Sequence, residues 1–539
     1  MRNSRWQLGT AMSAAAIAVL SSATGASAAP GDLDPAFGTD GTVAVSGPAA
    51  SSAVADAGLV AAGGPAADPR IVVGRQVGAL TGWGLVSLRA DGSVSWQATA
   101  QASTFPAGNG TDTDKLFVFD VAIAPDGRTY AVGRHGAQNL AIAAYKSTGV
   151  LDAGFDGDGK LVVPNAGLGP VAAAVQADGR LVVATAGSDP GGAGASTGVK
   201  LRRFTTAGAP DPTFGTGGVA TAPGPACCAE HPRAVGLSAA SIFVAGDRFS
   251  GDATAPGFVR RFSADGAADA AFDADVPGPG GPAGVAIDSS GRVVTAGAVG
   301  TPPDQSPGEA FALRLLSSGG RDTAFGSNGY RSFAVRAPDA SRNLSVFANG
   351  LAVAGTKVFV GGTVFGSGGF SAFVTRLSSD GSVDPAFGPA AASPALAAHV
   401  VPVDGGVFTG LAVQADGKVV VAGRDSGTVT VARLLSECVA FTCQISVQVA
   451  GGGAVISSQL LQNTSVGILV RRRSGKRLRT IGRVPLGRRQ RGRNRIRWNL
   501  RVNGRRLPPG RYTVTLRALN ARGKVFDLSR PATITVPRP

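Results

Sequence analysis

A short phrase recurs along this chain at nearly constant spacing, and that spacing limits the folds open to it. Asp-x-x-Phe, usually followed by Gly, occurs as Asp34-Pro35-Ala36-Phe37-Gly38, Asp152-Ala153-Gly154-Phe155, Asp211-Pro212-Thr213-Phe214-Gly215, Asp269-Ala270-Ala271-Phe272, Asp322-Thr323-Ala324-Phe325-Gly326 and Asp384-Pro385-Ala386-Phe387-Gly388. Between the first two copies stands Trp96, 59 residues from both Phe37 and Phe155 and just past Asp91-Gly92, which reads as a degenerate copy. The seven aromatic positions, Phe37, Trp96, Phe155, Phe214, Phe272, Phe325 and Phe387, are then 59, 59, 59, 58, 53 and 62 residues apart. A period of this length marks a supersecondary unit that cannot bury its apolar face alone and shares a core with its neighbours.

A second phrase keeps step with the first: a turn, then an apolar β-branched run closing on Gly. It appears at Ile71 to Gly74, Asp126-Gly127-Arg128 to Gly133, Asp178-Gly179-Arg180 to Val183, Ile242 to Gly246, Gly291-Arg292 to Gly297, Lys357 to Gly361 and Asp416-Gly417-Lys418 to Gly423. Asp-Gly pairs suit tight hairpins because Gly accepts positive φ, so each unit predicts a four-stranded antiparallel sheet. With 79 glycines, 33 prolines and only 16% charged residues, the composition is that of an all-β chain.

A third phrase precedes most copies of the first, as in Phe258-Val259-Arg260-Arg261-Phe262, Phe311-Ala312-Leu313-Arg314-Leu315 and Phe373-Val374-Thr375-Arg376-Leu377. The repeats end on the same strand, Thr430 to Leu434, with no Asp-x-x-Phe after it, while Asp34 to Val45 supplies that missing piece at the other end. Both loose ends are explained by a seven-bladed β-propeller over residues 29–437, closed by the N-terminal strand, which hides two sheet edges. An open solenoid is the rival, but such arrays carry distinct caps and need no split unit. Each motif Phe is expected between adjacent blades, and its Asp is expected to cap the turn beside it.

The phrases Leu33 to Gly41 and Gln414 to Gly423 carry a resemblance to the delta-60 repeat family, of DUF5122 type, over about residues 31–436. The resemblance implies a secreted bacterial β-propeller and brings no activity with it. Trp96 in place of Phe, Val276 and Ala391 in place of the second Gly, and the short 272-to-325 interval depart from its pattern.

Residues 1–28 read as an export signal: Arg2 and Arg5, an apolar Leu8 to Leu20, then Ala26-Ser27-Ala28. The apolar run is short of the ~20 residues that span a bilayer, and no later one is longer. The expected address is secreted or cell-surface associated, and the expected state monomeric. Four cysteines are then open to oxidation. Cys438 and Cys443 close a short loop and are the favoured pair, while Cys227 and Cys228 fit either a vicinal disulfide or two thiols.

Charge changes abruptly near the second cysteine pair. Residues 444–539 hold 22 Lys+Arg against one acid, Asp527, a net of +21, so in a chain of net +16 the remainder is −5. Ile496, Trp498, Leu500 and Val502 alternate with Arg495, Arg497, Asn499 and Arg501, as do Tyr512, Val514, Leu516 and Ala518 with their neighbours. Such alternation predicts half-buried strands. Residues 438–539 therefore predict an Ig-like β-sandwich with Arg495, Arg497 and Arg501 on a basic face. Gly492 to Trp498, Pro509 to Tyr512 and the closing Ala532-Thr533-Ile534-Thr535-Val536 resemble FlgD-type Ig-like modules. Anionic cell-envelope polymers are the natural partners of such a face, beside a protein or glycan ligand for the ring. Nucleic acid is disfavoured by export and by the lack of exposed aromatics among the arginines. An outward Arg stripe is equally read as a solvated face in a chain with 43 Arg to 8 Lys.

No catalytic, cofactor or metal constellation emerges. His135, His231 and His399 stand in no ligand spacing, and no nucleophile elbow, Walker loop or zincin helix is present. Asp152, Asp156 and Asp158 hint at a calcium loop, but Gly154 takes a ligand position and Asn165 the place of the closing Glu. The leading expectation is a secreted binding or surface scaffold. The alternative is an extracellular carbohydrate lyase or hydrolase with its site over the propeller axis.

Overall fold

A computed structural model describes residues 31–436 and 445–537 apart from short internal stretches, the longest being 46–58, 188–197, 335–344 and 388–406. The signal segment, Cys227, Cys438, Cys443 and His399 lie outside the described residues. The described chain forms two compact units, one on either side of residues 437–438.

The larger unit is all-β. Its strands form antiparallel sheets in sequence order, spanning 59–101, 116–163, 172–222, 229–279, 282–333, 345–377 and 407–434. The seventh sheet takes its fourth strand from the other end of the unit: Thr42–Val45 pairs antiparallel with Thr428–Leu434, Thr42 opposite Ala432 and Val45 opposite Val429. The first strands of successive sheets touch one another, and the first strand of the seventh sheet touches that of the first. The all-β class and the propeller-type construction thus stand as the repeats predict.

Why the sheets stack is visible in their middle strands. Gly82–Leu88, Asn139–Tyr145 and Leu181–Ala186 are buried along their whole length, with no polar face, because each sheet is covered on both sides by its neighbours. Phe37 is buried in a cluster that joins Val420, Ala422, Val429 and Val431 of the seventh sheet to Ile71, Val73 and Val86 of the first. Phe155, Phe214, Phe272, Phe325 and Phe387 are likewise buried, and Trp96 is 9% exposed. Each ring from Trp96 to Phe325 presses on the hairpin glycine of the following sheet: a Cβ at Gly149 would lie 2.6 Å from Trp96, and one at Gly266 would lie 3.0 Å from Phe214. Trp96 therefore occupies the place of a motif Phe, although it sits within the strand Val94–Gln101.

In the smaller unit, Ser446–Ala450, Gly453–Leu460 and Gly492–Trp498 form one sheet. A second is built on Arg477–Arg489, Thr464–Ser474 and Gly510–Leu519, the last pairing with both Val525–Leu528 and Ala532–Val536. Ile456, Ile468, Ile496, Trp498, Val514 and Leu516 make the core they share.

Candidate functional site

The repeat signature builds one edge of every sheet. Arg203, Arg261, Arg314 and Arg376 each place Nε 2.7–2.8 Å from the carboxylate of Asp211, Asp269, Asp322 and Asp384, eight residues on. The same guanidinium lies 4.4–5.2 Å from the centroid of the motif Phe. Arg203, Arg261 and Arg376 also donate to carbonyls of the next sheet, at Ala264, Ser317 and Ser436. Arg433 makes all these contacts to residues from the opposite chain end: Asp34 at 2.8 Å, the Phe37 ring at 4.6 Å, and the carbonyl of Ala90. The cations after the Asp-Gly turns reach the same acids, Arg180 to Asp211 at 3.3 Å and Lys418 to Asp34 at 3.1 Å. In the second sheet, where Ala144 stands at the arginine position, Arg128 reaches Asp152 at 3.1 Å instead. Each motif Asp also caps its own turn, as Asp34 Oδ1 accepts from the Ala36 N–H at 3.0 Å.

With its acids taken up this way, the signature edge leaves no group for a ligand. The calcium-loop acids are used alike: Asp152 by Arg128 and the Gly154 N–H, Asp158 by the Lys160 N–H at 2.8 Å. No group of metal-ligating residues occurs among the described residues.

The opposite edge differs. It carries the links between second and third strands and from sheet to sheet, and there 12 residues separate Ala186 from Val199 and 29 separate Leu377 from Val407. At the signature edge only 5 separate Val175 from Leu181 or Val413 from Val419. Near the long-link edge five first strands bulge at one register, the extra residues being Phe119, Arg233, Ala283, Asn349 and Thr409. The facing glycine exists for this reason: a Cβ on Gly133, Gly246 or Gly362 would lie 1.7–2.2 Å from a carbonyl oxygen of the bulged strand.

Polar groups gather there in the fourth sheet. Glu230, wholly buried, accepts from Arg248 at 3.1 Å and Arg260 at 2.8 Å, and Arg248 also pairs with Asp275. Asp247 holds Arg233 at 2.5 Å, with His231 Nδ1 3.9 Å away. Burial lowers the His231 pKa, Asp247 opposes this, and Arg233 adds to it. In the second sheet Asp120 accepts from the N–H groups of Val121 and, across to the third sheet, Ala173, both at 2.8 Å. Desolvation outweighs both bonds and raises its pKa to about 6. His135 is buried against Phe105, 6.1 Å between ring centroids. Cys228 is buried.

In the smaller unit Arg495 and Arg497 are exposed on one face of Gly492–Trp498, and Arg493 joins them. Arg501 lies beyond the strand, on a two-residue ribbon with Arg505–Arg506. A turn at Leu500, with φ of 57°, keeps the in-out alternation while leaving the sheet, so Ile496, Trp498, Leu500 and Val502 are all buried as expected. No ion pair to any of these arginines occurs among the described residues.

A family model described as a domain of unknown function (DUF5122) beta-propeller matches residues 176–214, 357–387 and 414–437, which supports a propeller family. The first two segments run from the first hairpin of a sheet to its motif Phe. No curated protein matches. Among solved structures, the chain is similar to the beta-propeller domain of the Trilobed protease from Pyrococcus furiosus, 11% identical over 71% of this chain and 97% of that one, TM-score 0.36. It is also similar to a Trichoderma reesei carbohydrate-active enzyme of family AA12, 14% identical over 76% and 98%, TM-score 0.31. A third is Drosophila Semaphorin 1b, extracellular domains 1-2, 11% identical over 76% and 88%, TM-score 0.37. Likenesses this distant assign no activity.

Proposed function

We propose that the protein is an exported binding scaffold: a seven-bladed ring that presents its long-link edge to a protein or glycan, joined to an Ig-like module that associates with anionic polymers of the cell envelope. The observation that carries this reading is the charge of the module, +21 over residues 444–539, with arginines exposed along a sheet face and one acid in the whole segment. A face so unbalanced attracts polyanions over a Debye length of about 8 Å at physiological salt.

Seven sheets in sequence order, with the N-terminal strand on the last of them, support the ring. Two sheets around one core support the Ig-like module, as does the buried Tyr512, whose hydroxyl donates to the Pro508 carbonyl at 2.8 Å in the manner of a tyrosine corner. Export is supported by the sequence of residues 1–28 alone.

The test is co-sedimentation of the chain lacking residues 1–28 with isolated cell envelopes, beside a variant that also lacks 438–539. Binding is expected for the longer form, falling steeply between 50 and 500 mM salt on the order expected of counterion release. Equal binding by both forms, or none by either, overturns the reading. The carbohydrate-enzyme alternative is favoured by one observation, the pairing of His231 with Asp247 at the long-link edge. It requires a reaction product from a polysaccharide panel that disappears in His231→Ala.

A further inference from the structure

We propose that the outer face of the three-stranded sheet in the C-terminal module is built for a phosphodiester-linked envelope polymer, with one phosphate seated beside Arg493 and Arg495. This rests on the envelope-binding reading and names the group recognised. A cavity of about 510 Å³ opens on that sheet, lined by Ser446, Ser457, Ser458, Arg493, Asn494 and Arg495. Strand register explains the grouping. Ser446 lies opposite Ser457, and Ser457 opposite Arg495, so two hydroxyls and a guanidinium form one row across three strands. Gln459 opposite Arg493 and Val455 opposite Arg497 form the rows on either side.

The donors are uncommitted. Arg493, Arg495 and Arg497 are exposed, with no acid paired to them among the described residues. The Ser458 hydroxyl is buried, and it has no hydrogen-bond partner. Such a hydroxyl costs free energy until an acceptor arrives. Guanidinium groups and hydroxyls converging without a carboxylate suit a tetrahedral oxyanion, whose several oxygens accept more donors than a single carboxylate can. Alternate residues of a strand are about 6.8 Å apart, so the three arginines present positive charge at that interval. A polymer with one charge per repeat of similar length would engage all three while its middle phosphate meets Ser457.

Nucleic acid fits less well. The face offers Ser, Gln and Val between its arginines, and Trp498 and Tyr512 are buried in the core, so bases would find no stacking platform.

The experiment titrates the full chain with soluble poly(glycerol phosphate), with polygalacturonate as a carboxylate polymer and with a single-stranded oligodeoxynucleotide. Arg493→Gln/Arg495→Gln and Ser457→Val are compared with Arg483→Gln/Arg488→Gln, which removes the same charge from exposed positions of the other sheet. The phosphate polymer is expected to bind tightest, with affinity reduced at least about tenfold by the first double variant, several-fold by Ser457→Val, and less than about twofold by the control. Equal losses in both double variants, with the wild type still binding, overturn the phosphate seat and leave the envelope reading standing. Tighter binding of the carboxylate polymer or the oligonucleotide overturns the choice of ligand. Failure of the wild type to bind any of the three overturns both readings. Unchanged urea midpoints confirm that the variants are folded.

Discussion

Asp34→Asn probes the pairing of the two ends of the repeat unit at a single atom. Asp34 is 2% exposed, and its Oδ2 takes Arg433 Nε and Nη2, both at 2.8 Å, and Lys418 Nζ at 3.1 Å, while Oδ1 accepts from the Ala36 N–H. Burial alone would raise this carboxyl, but Arg433, the Ala36 N–H and Lys418 together hold it below its ordinary 3.8. An asparagine keeps the turn acceptor and turns an NH2 toward two cations. Arg433, only 3% exposed, is left buried without a counter-charge, at a cost of about 3–5 kcal/mol.

Location matters more than magnitude. Asp322 meets Arg314 at 2.8 Å in the same way, but those two residues are eight apart on one hairpin, whereas Asp34 and Arg433 are 399 apart. In hydrogen exchange by mass spectrometry, Asp34→Asn should therefore speed exchange at Thr42–Val45 by about 100-fold or more, with Asp322→Asn leaving that strand near wild type. Because the folded pKa is lowered, the contribution of Asp34 is complete above the unfolded value and is lost as pH falls through the folded one. The variant should accordingly lose part of the acid sensitivity of that strand. The reasoning fails if the two variants expose Thr42–Val45 equally, or if Asp34→Asn costs less than about 1 kcal/mol by urea titration.

Two further outcomes follow from close approach and burial. Gly149 and Gly157 both have φ of 85°, but a Cβ on Gly149 would meet the Trp96 ring at 2.6 Å while one on Gly157 would meet nothing within 4 Å. Gly157→Ala should cost only the backbone penalty of about 1–2 kcal/mol, and Gly149→Ala about 1–3 kcal/mol more, so equal urea midpoints would refute packing of Trp96 as a motif aromatic. Asp120, raised from 3.8 to about 6, should make the chain more stable when protonated. That contribution is full below the unfolded value and is lost as pH rises through 6, about 2–3 kcal/mol in all. Urea titrations at pH 4, 5 and 7 should show this rise and fall against Asp120→Ala, and identical pH profiles would refute it.

Legibility in the sequence followed locality. The motif aromatics and the capping role of the motif Asp were readable because both act within a few residues of their own turn, and Trp96 betrayed itself by its spacing. The arginine that joins them was visible in the third phrase, but its partnership was hidden. Ala144 and Ser87 interrupt the pattern in two units, and the last arginine finds its acid near the opposite chain end. The bulges left no mark of their own, since Phe119, Arg233, Ala283, Asn349 and Thr409 share no chemistry and only the facing glycines repeat. In the basic module, period-2 alternation ran unbroken through the turn at Leu500, which placed Arg501 with the other arginines on paper and off their strand in space. Ser446, Ser457 and Arg493 carried no signal, because their meeting depends on which strands pair.

The two edges of the repeat sheets divide the work in a way the ion pairs make intelligible. At the signature edge each carboxylate satisfies a turn N–H, a guanidinium of its own sheet and often a second cation from the Asp-Gly hairpin, so a substitution strands a buried charge or a donor. Links there stay short because the following sheet receives the arginine and the aromatic ring in a fixed place. At the other edge the strands end in bulges that turn unlike side chains outward, and link lengths differ several-fold from sheet to sheet. Change is cheap at that edge, since loop closure costs rise only about 0.6 kcal/mol per doubling of length. Ligand recognition by the larger unit should therefore reside among residues the repeat does not constrain, which is why the motif that reveals the fold is silent about what the fold binds.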